Sequence, residues 1–168
     1  MEPGPDLILY EEDLTQITAC LIRLHHDARS KAVFLIDKNG QLLGSAGETA
    51  GLDTTALATL AAGNIAATGG LAQLLGQREF SILFHEGERD HLHISVIGGQ
   101  VILLILFDQR SSLGLIRLRA KKATEEIGQI FEEITRKLKR NRREDRTLLA
   151  SAFAEITDED IDNLFGKG

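Results

Sequence analysis

The stretch LATLAAGNIAATGGLAQLLG, residues 57–76, decides the fold of this sequence. At 3.6 residues per turn it is predicted to form a helix with two apolar sides. One side carries the larger residues and is expected to face the core: Leu57, Leu60, Ala67, Leu71 and Leu74. Asn64 interrupts that stripe. The other side has almost no side chain: Ala58, Ala62, Ala66 and Gly70, with Gly63 and Gly69 beside them.

The glycines inside this helix need a reason, because each costs about 1 kcal/mol relative to alanine. A side without large side chains lets another backbone come nearer than the usual spacing of about 8–10 Å between helix axes. That backbone can belong to the protein's own sheet, to a second subunit or to a partner protein. The rest of the sequence favours a partner.

Composition indicates one domain followed by a tail. A chain of 168 residues with 43% hydrophobic content can bury a full core. Its net charge of −6 argues against nucleic acid as the main partner. The start MEPGPD has no cationic residue and the apolar run at 101–107 is too short to span a bilayer, so neither a signal peptide nor integral membrane association is expected. Cys20 is alone, which fits the cytoplasm.

Before residue 57 the sequence predicts a helix and a hairpin. Apolar residues recur at helical spacing between Asp13 and Asp27, with Asp13 as a candidate cap. Strands are predicted at 32–37 and 42–46, because Asn39-Gly40 between two apolar runs is a strong hairpin signal. Thr54 or Thr55 can cap the small-residue helix.

After residue 76 three further strands are predicted, at 80–85, 92–97 and 101–107, with Gly98-Gly99 as a tight turn. A long amphipathic helix follows, starting near Ser111 or Ser112 and carrying its apolar stripe to Ile134. The order α-β-β-α-β-β-β-α predicts one five-stranded antiparallel sheet with helices packed on its faces, an α+β fold.

We expect three segments: a domain at 1–138, a basic linker or helix extension at 139–151, and an acidic amphipathic tail at 152–168. Residues 136–147 have seven basic and two acidic residues, net +5, and residues 148–168 have five acidic and one basic, net −4. The basic run can be a solvated helix end, or can touch anionic lipid or an acidic protein surface.

The tail carries signals of a short helix. Thr157 can cap it, and Asp160 stands at the capping-box distance. Five large apolar residues follow a pattern that suits docking: Phe153, Ile156, Ile161, Leu164 and Phe165. They can pack back on the tail's own domain or dock in a groove of another protein.

Catalytic motifs are not found, so no catalytic residue, cofactor or metal is expected. The glycine-rich stretch GSAGETAG at 44–51 lacks the lysine of a phosphate-binding loop, and Cys20 falls on a predicted core face. The main rival is HEGERDHLH at 85–93, where His91 and His93 are predicted to share a strand face and His85 with Glu86 could complete a metal site. Histidines in a charged hairpin are more often only exposed.

The element order, the hairpin FLIDKNGQLL and the helix TLAAGNIAATGGLAQLLG resemble the Roadblock family of dynein-light-chain-related proteins. The resemblance extends to further segments, namely FHEGERD at 84–90, LFDQRSSLGLIRLRAKKA at 106–123 and FAEITDEDIDNLF at 153–165. The tail points to a bacterial branch of that family. The basic insert at 139–147 is the least familiar part.

The resemblance implies a Roadblock-type fold and an enzyme activator without an active site of its own. A homodimer, with its sheets joined edge to edge and its small-residue helices paired, would bind one small Ras-like GTPase (MglA-like) and accelerate GTP hydrolysis. It would control bacterial cell polarity and gliding motility from the cytoplasm, concentrated at a cell pole. The implied GTPase contacts are Thr59, Ala62, Gly63, Ala66, Gly70 and Gln73, and the tail would modulate the nucleotide state.

No arginine is expected to enter the GTPase site, because the resemblance implies that the activator reshapes the GTPase's own switch regions. On chemistry alone the candidates are Arg78, Arg89, Arg110, Arg117 and Arg119. Two other readings stay open: a Roadblock scaffold dimer that binds without activating, and a ligand- or metal-sensing domain built on the histidine hairpin.

Overall fold

Five strands form one antiparallel sheet in the computed structural model, which describes residues 8–166. The segment MEPGPD and the last two residues of the tail lie outside that range. The elements are α1 Glu11–Ala28, β1 Ala32–Asp37, β2 Leu42–Gly47, α2 Thr54–Leu74, β3 Ile82–Glu86, β4 His91–Ile97, β5 Val101–Phe107, α3 Leu113–Ala154 and α4 Asp158–Leu164. The strand order is β2-β1-β5-β4-β3. The predicted fold class and element order are confirmed, with α4 added in the tail.

The two central strands are apolar because both of their faces are covered. Every residue of β1 and β5 is buried. Phe34 and Leu104 pair across these strands and belong to the cluster under α2. α1 covers the opposite face, where a Cβ placed on Gly44 would lie 2.9 Å from Leu21 Cδ1. The sheet is therefore enclosed between α2 on one side and α1 on the other.

The β1–β2 turn confirms the hairpin prediction and brings α2 close. Asp37 Oδ1 accepts hydrogen bonds from the amides of Asn39 (2.9 Å) and Gln41 (2.8 Å). Gly40 has φ +87°, which favours glycine. A Cβ on Gly40 would lie 3.1 Å from Thr59 Cα, so the missing side chain lets the α2 backbone approach this turn.

The expectation that the leucine side of α2 faces the core is wrong for three of its four leucines. Leu60, Leu71 and Leu74 are 72%, 57% and 84% exposed, whereas Leu57 packs against the core cluster. The buried positions of α2 are Ala58, Ala61, Ala62 and Ala72. Alanines let the helix lie close against the strands and the β1–β2 turn, where leucines would hold it away. These four alanines are thus buried inside the domain, whereas Gly63, Ala66 and Gly70 remain exposed with the three leucines.

Leucine at Ala58 is expected to lower the free energy of unfolding by about 1–3 kcal/mol, because added methylenes overfill a fully buried contact between α2 and the sheet. Alanine at exposed Leu60 is the matched change and should cost less than about 0.5 kcal/mol. Urea unfolding in dilute protein measures both values. If Leu60→Ala lowers the free energy of unfolding more than Ala58→Leu does, the leucine side of α2 faces the sheet.

The chain divides into two compact units, Met1–Ile130 and Phe131–Gly168. In the second unit, residues 139–151 are helical and belong to α3, which continues to Ala154. After a short break α4 begins at its predicted cap, where Thr157 Oγ1 accepts from the amide of Asp160 (3.3 Å) and the Asp160 carboxylate accepts from the amide of Thr157 (3.0 Å). The reciprocal capping box is confirmed.

Candidate functional site

The outward side of α2 is an apolar helical surface with few side chains. We define the α2 platform by its exposed residues: Thr59, Leu60, Gly63, Ala66, Ala67, Gly70, Leu71, Gln73 and Leu74. A Cβ added to Gly63 or Gly70 would meet nothing within 4 Å. Within residues 8–166, no contact explains these glycines, although each weakens the helix. Their position fits the close approach of another molecule.

Five of the six predicted GTPase contacts lie on the α2 platform: Thr59, Gly63, Ala66, Gly70 and Gln73. Ala62 does not, because it packs on the sheet in the cluster with Phe34 and Ile94. Leu60, Leu71 and Leu74 were missed as surface residues. The sequence did contain a signal for these surface leucines. α2 is apolar on every side, so both its sheet-facing side and its outward side need a packing partner.

α2 has the length and composition of a membrane-crossing helix, with mean hydropathy 1.2 over its most apolar window and 22% of that window buried. The prediction of no integral membrane association rested on residues 101–107 and did not consider α2. Contacts hold α2 on the sheet, however: Ala58 and Ala61 are buried there, and Asn64 Nδ2 lies 3.3 Å from His85 Nε2 on β3. A helix packed in this way cannot be surrounded by lipid, so its exposed apolar side fits a protein partner.

The predicted tail residues form a second exposed apolar group. Phe153 lies at the end of α3, Ile156 lies between the helices, and Ile161, Leu164 and Phe165 lie on or just after α4. All five are exposed, with Phe165 the most exposed at 86%. Leu148 and Leu149 are also exposed and were not singled out from the sequence. The tail thus presents large apolar side chains on a short capped helix.

The rival interpretation of residues 85–93 as a metal site is not supported, because His85 lies on the face of the sheet opposite to Glu86, His91 and His93. β3 and β4 pair so that His85 stands opposite Leu92 and Phe84 stands opposite His93. Side chains alternate along a strand, so His91 and His93 share one face while His85 points to α2. Within residues 8–166, no three potential ligands among His, Cys, Asp and Glu come together as a metal site would require.

His93 is a buried core residue. Its Nδ1 lies 3.4 Å from Ser95 Oγ, and its Nε2 is buried without a hydrogen-bond partner. Burial lowers the pKa of His93, and the nearby positive charge of Arg117 lowers it further. The imidazole is therefore neutral in the folded protein near neutral pH.

His93 is expected to make the domain less stable in mild acid. Because its pKa is lower in the folded than in the unfolded state, the unfolded chain binds the proton first. The free energy of unfolding should then fall as the pH drops below about 6.5, the ordinary value for histidine. Urea unfolding of wild type and His93→Leu between about pH 7.5 and 5 tests this. The variant should lose less stability over that range, and parallel curves would contradict the assignment.

None of the five candidate arginines lies on α2. Arg110 is already engaged, with Nη1 2.6 Å from Glu48 and Nη2 2.9 Å from Asp108, and these carboxylates raise its pKa. Arg119 has a buried Nε without a hydrogen-bond partner. Arg78, Arg89 and Arg117 are exposed.

Cys20 is a core residue, as predicted. It is 2% exposed. Burial raises the pKa of its thiol to about 11, and the adjacent Glu126 adds to that shift. The thiolate that nucleophilic chemistry needs is therefore scarce at neutral pH.

Comparisons with known proteins agree on one family. The profile described as Roadblock/LC7 domain matches residues 23–107. MglB of Myxococcus xanthus is 55% identical, with 76% of this chain and 96% of that chain covered and a TM-score of 0.73. The gliding protein MglB of Thermus thermophilus is 33% identical, covering 78% and 99% with a TM-score of 0.72. An MglB with a tetrameric arrangement is 32% identical, covering 79% and 99% with a TM-score of 0.73. No curated protein gives a match.

Proposed function

This chain belongs to the Roadblock/LC7 family, and we propose that it is a GTPase-activating protein for a small Ras-like GTPase of the MglA type. In this proposal a homodimer binds one GTPase molecule and accelerates its GTP hydrolysis. The chain is an activator and not itself an enzyme. It acts in the cytoplasm, concentrated at a cell pole, and controls bacterial cell polarity and gliding motility.

The α2 platform is the observation that carries the proposal. It is apolar, it has open space over Gly63 and Gly70, and it lies on a domain similar to MglB over nearly all of that protein's length. Leu60, Leu71 and Leu74 would each gain about 1.5–3 kcal/mol on full burial. A second copy and a GTPase are two partners that together would cover this surface.

The mechanism follows from what the platform lacks. No residue of α2 is charged, so α2 cannot neutralise charge that develops on the transferred phosphoryl group. Such a surface acts through shape, by holding the switch loops of the GTPase where that protein's own groups stabilise the transition state. The exposed tail residues would contact the same GTPase at another place and modulate its nucleotide state.

A GTP-hydrolysis assay tests the proposal directly. The purified MglA-like GTPase of the same organism is assayed alone and with a saturating amount of this chain. We expect stimulation of about tenfold or more. Binding without stimulation would support the scaffold reading instead, and the absence of both would reject the proposed partner.

Alanine at Arg78, Arg89, Arg110, Arg117 or Arg119, one at a time, is expected to leave stimulated hydrolysis within a few-fold of wild type at saturating protein. Loss of an inserted arginine would cost about 10³-fold or more. Single-turnover hydrolysis and a separate binding measurement keep the rate apart from affinity. One variant that binds normally but no longer stimulates would identify a catalytic arginine and overturn the mechanism.

A further inference from the structure

Seven exposed cations lie on the second half of α3, within the unit Phe131–Gly168. They are Arg136, Lys137, Lys139, Arg140, Arg142, Arg143 and Arg146. Arg136 has a long ion pair with Glu132 (3.7 Å), and none of the other six has an ion pair within residues 8–166. Like charges one turn apart repel and weaken a helix. Folding therefore gives no reason for this cluster.

The cations are concentrated on one side of the helix. At about 100° per residue, all except Lys137 fall within an arc of about 160°. Glu144 and Asp145, the acidic residues among them, fall outside that arc. We call these six residues the α3 basic face: Arg136, Lys139, Arg140, Arg142, Arg143 and Arg146. Leu149, which is exposed, borders the face one turn after Asp145.

We propose that the α3 basic face binds the surface of a membrane that contains anionic phospholipid. Each lysine or arginine held near such a surface contributes a factor of about five to binding. The face extends over ten residue steps of a straight helix, about 15 Å, so its cations can meet a flat surface together. Leu149 can enter the headgroup layer beside them. Nucleic acid offers no apolar layer to such a side chain, which favours lipid.

The acidic tail begins beyond the screening distance from the α3 basic face. α3 continues from Arg146 to Ala154 before the tail acids begin. Eight residue steps span about 12 Å. Glu155, the first acidic residue of the tail, continues the helical bonding one residue further. The Debye length is about 8 Å at physiological ionic strength, so the charge of Glu155 is largely screened at Arg146.

Vesicle sedimentation of the full chain tests the proposal. The probes are vesicles of phosphatidylcholine alone and of phosphatidylcholine with an equal amount of phosphatidylglycerol. The test variant carries Arg142→Gln, Arg143→Gln and Arg146→Gln, since glutamine keeps helix propensity. The control variant carries Lys38→Gln, Arg89→Gln and Lys121→Gln, which removes the same charge from exposed positions elsewhere. Circular dichroism confirms that both keep the helix content of wild type.

We expect wild type and the control variant to sediment with the anionic vesicles only, and raised salt to release them. The test variant should bind about 100-fold more weakly, as three cations are removed. Equal loss in the control variant, or equal binding to both vesicle types, would overturn the proposal. A wild-type chain that sediments with neither vesicle type would also overturn it. That conclusion would stand even if the same cations bound duplex DNA or polyglutamate.

Discussion

Arginine at both Ala66 and Gly70 is expected to abolish stimulated GTP hydrolysis and to leave the domain folded. Both positions lie on the α2 platform, and Gly70 has open space where a Cβ would stand. The new side chains therefore clash with nothing in the chain itself, and replacing Gly70 improves helix propensity. A partner would have to bury two unpaired charges or withdraw, and either costs several kcal/mol.

The measurements are single-turnover GTP hydrolysis, GTPase affinity and sedimentation of the chain alone. Ala19→Arg with Gly114→Arg is the matched control, because these positions are also exposed and helical but lie on α1 and α3. Sedimentation of the chain alone shows whether the variant still forms a homodimer. Loss of the dimer is thereby distinguished from loss of the GTPase contact. If the platform variant still stimulates at the wild-type rate, the GTPase contact is assigned to the wrong surface.

The second large effect is expected from alanine at all five exposed apolar residues of the tail: Phe153, Ile156, Ile161, Leu164 and Phe165. Burying a few of these side chains at about 1.5–3 kcal/mol each outweighs the cost of ordering a short helix. The variant should bind the GTPase at least about tenfold more weakly, or change the rate of nucleotide exchange on it. Alanine leaves helix propensity intact.

Substitution is preferable to truncation here, because a cut after Thr147 would fall inside α3, which continues to Ala154. Alanine at Ile22 and Leu118, both exposed on the other unit, controls for the general loss of apolar surface. Affinity and exchange rate are measured on the same samples. Wild-type values in both assays would show that the tail serves another partner or its own domain.

Local signals predicted most elements correctly. Asn39-Gly40 marked the hairpin that Asp37 closes, and Thr157 with Asp160 marked the start of α4. These features depend on residues only a few positions apart, so the local sequence is sufficient to predict them. The same holds for the buried β1 and β5, whose unbroken apolar runs require cover on both faces.

In the histidine hairpin, local signals did not determine which face of the sheet each histidine occupies. Strand alternation correctly placed His91 and His93 on one face, but His85 lies on a different strand. Its face depends on the β3–β4 register, in which His85 stands opposite Leu92. A shift of one residue reverses every side chain, and the sequence of the hairpin alone does not set that register.

The sequence by itself determined that residues 57–76 form a helix with apolar residues on every side, one that needs cover from two directions. Which direction belongs to the sheet was decided only by the tertiary structure. Leucine burial is worth more per residue than alanine burial, so periodicity pointed the leucines inward. The β1–β2 turn leaves no room for them, since Gly40 brings the backbone of α2 close to the strands. Alanines therefore fill most of the contact with the sheet, and Leu60, Leu71 and Leu74 remain on the surface.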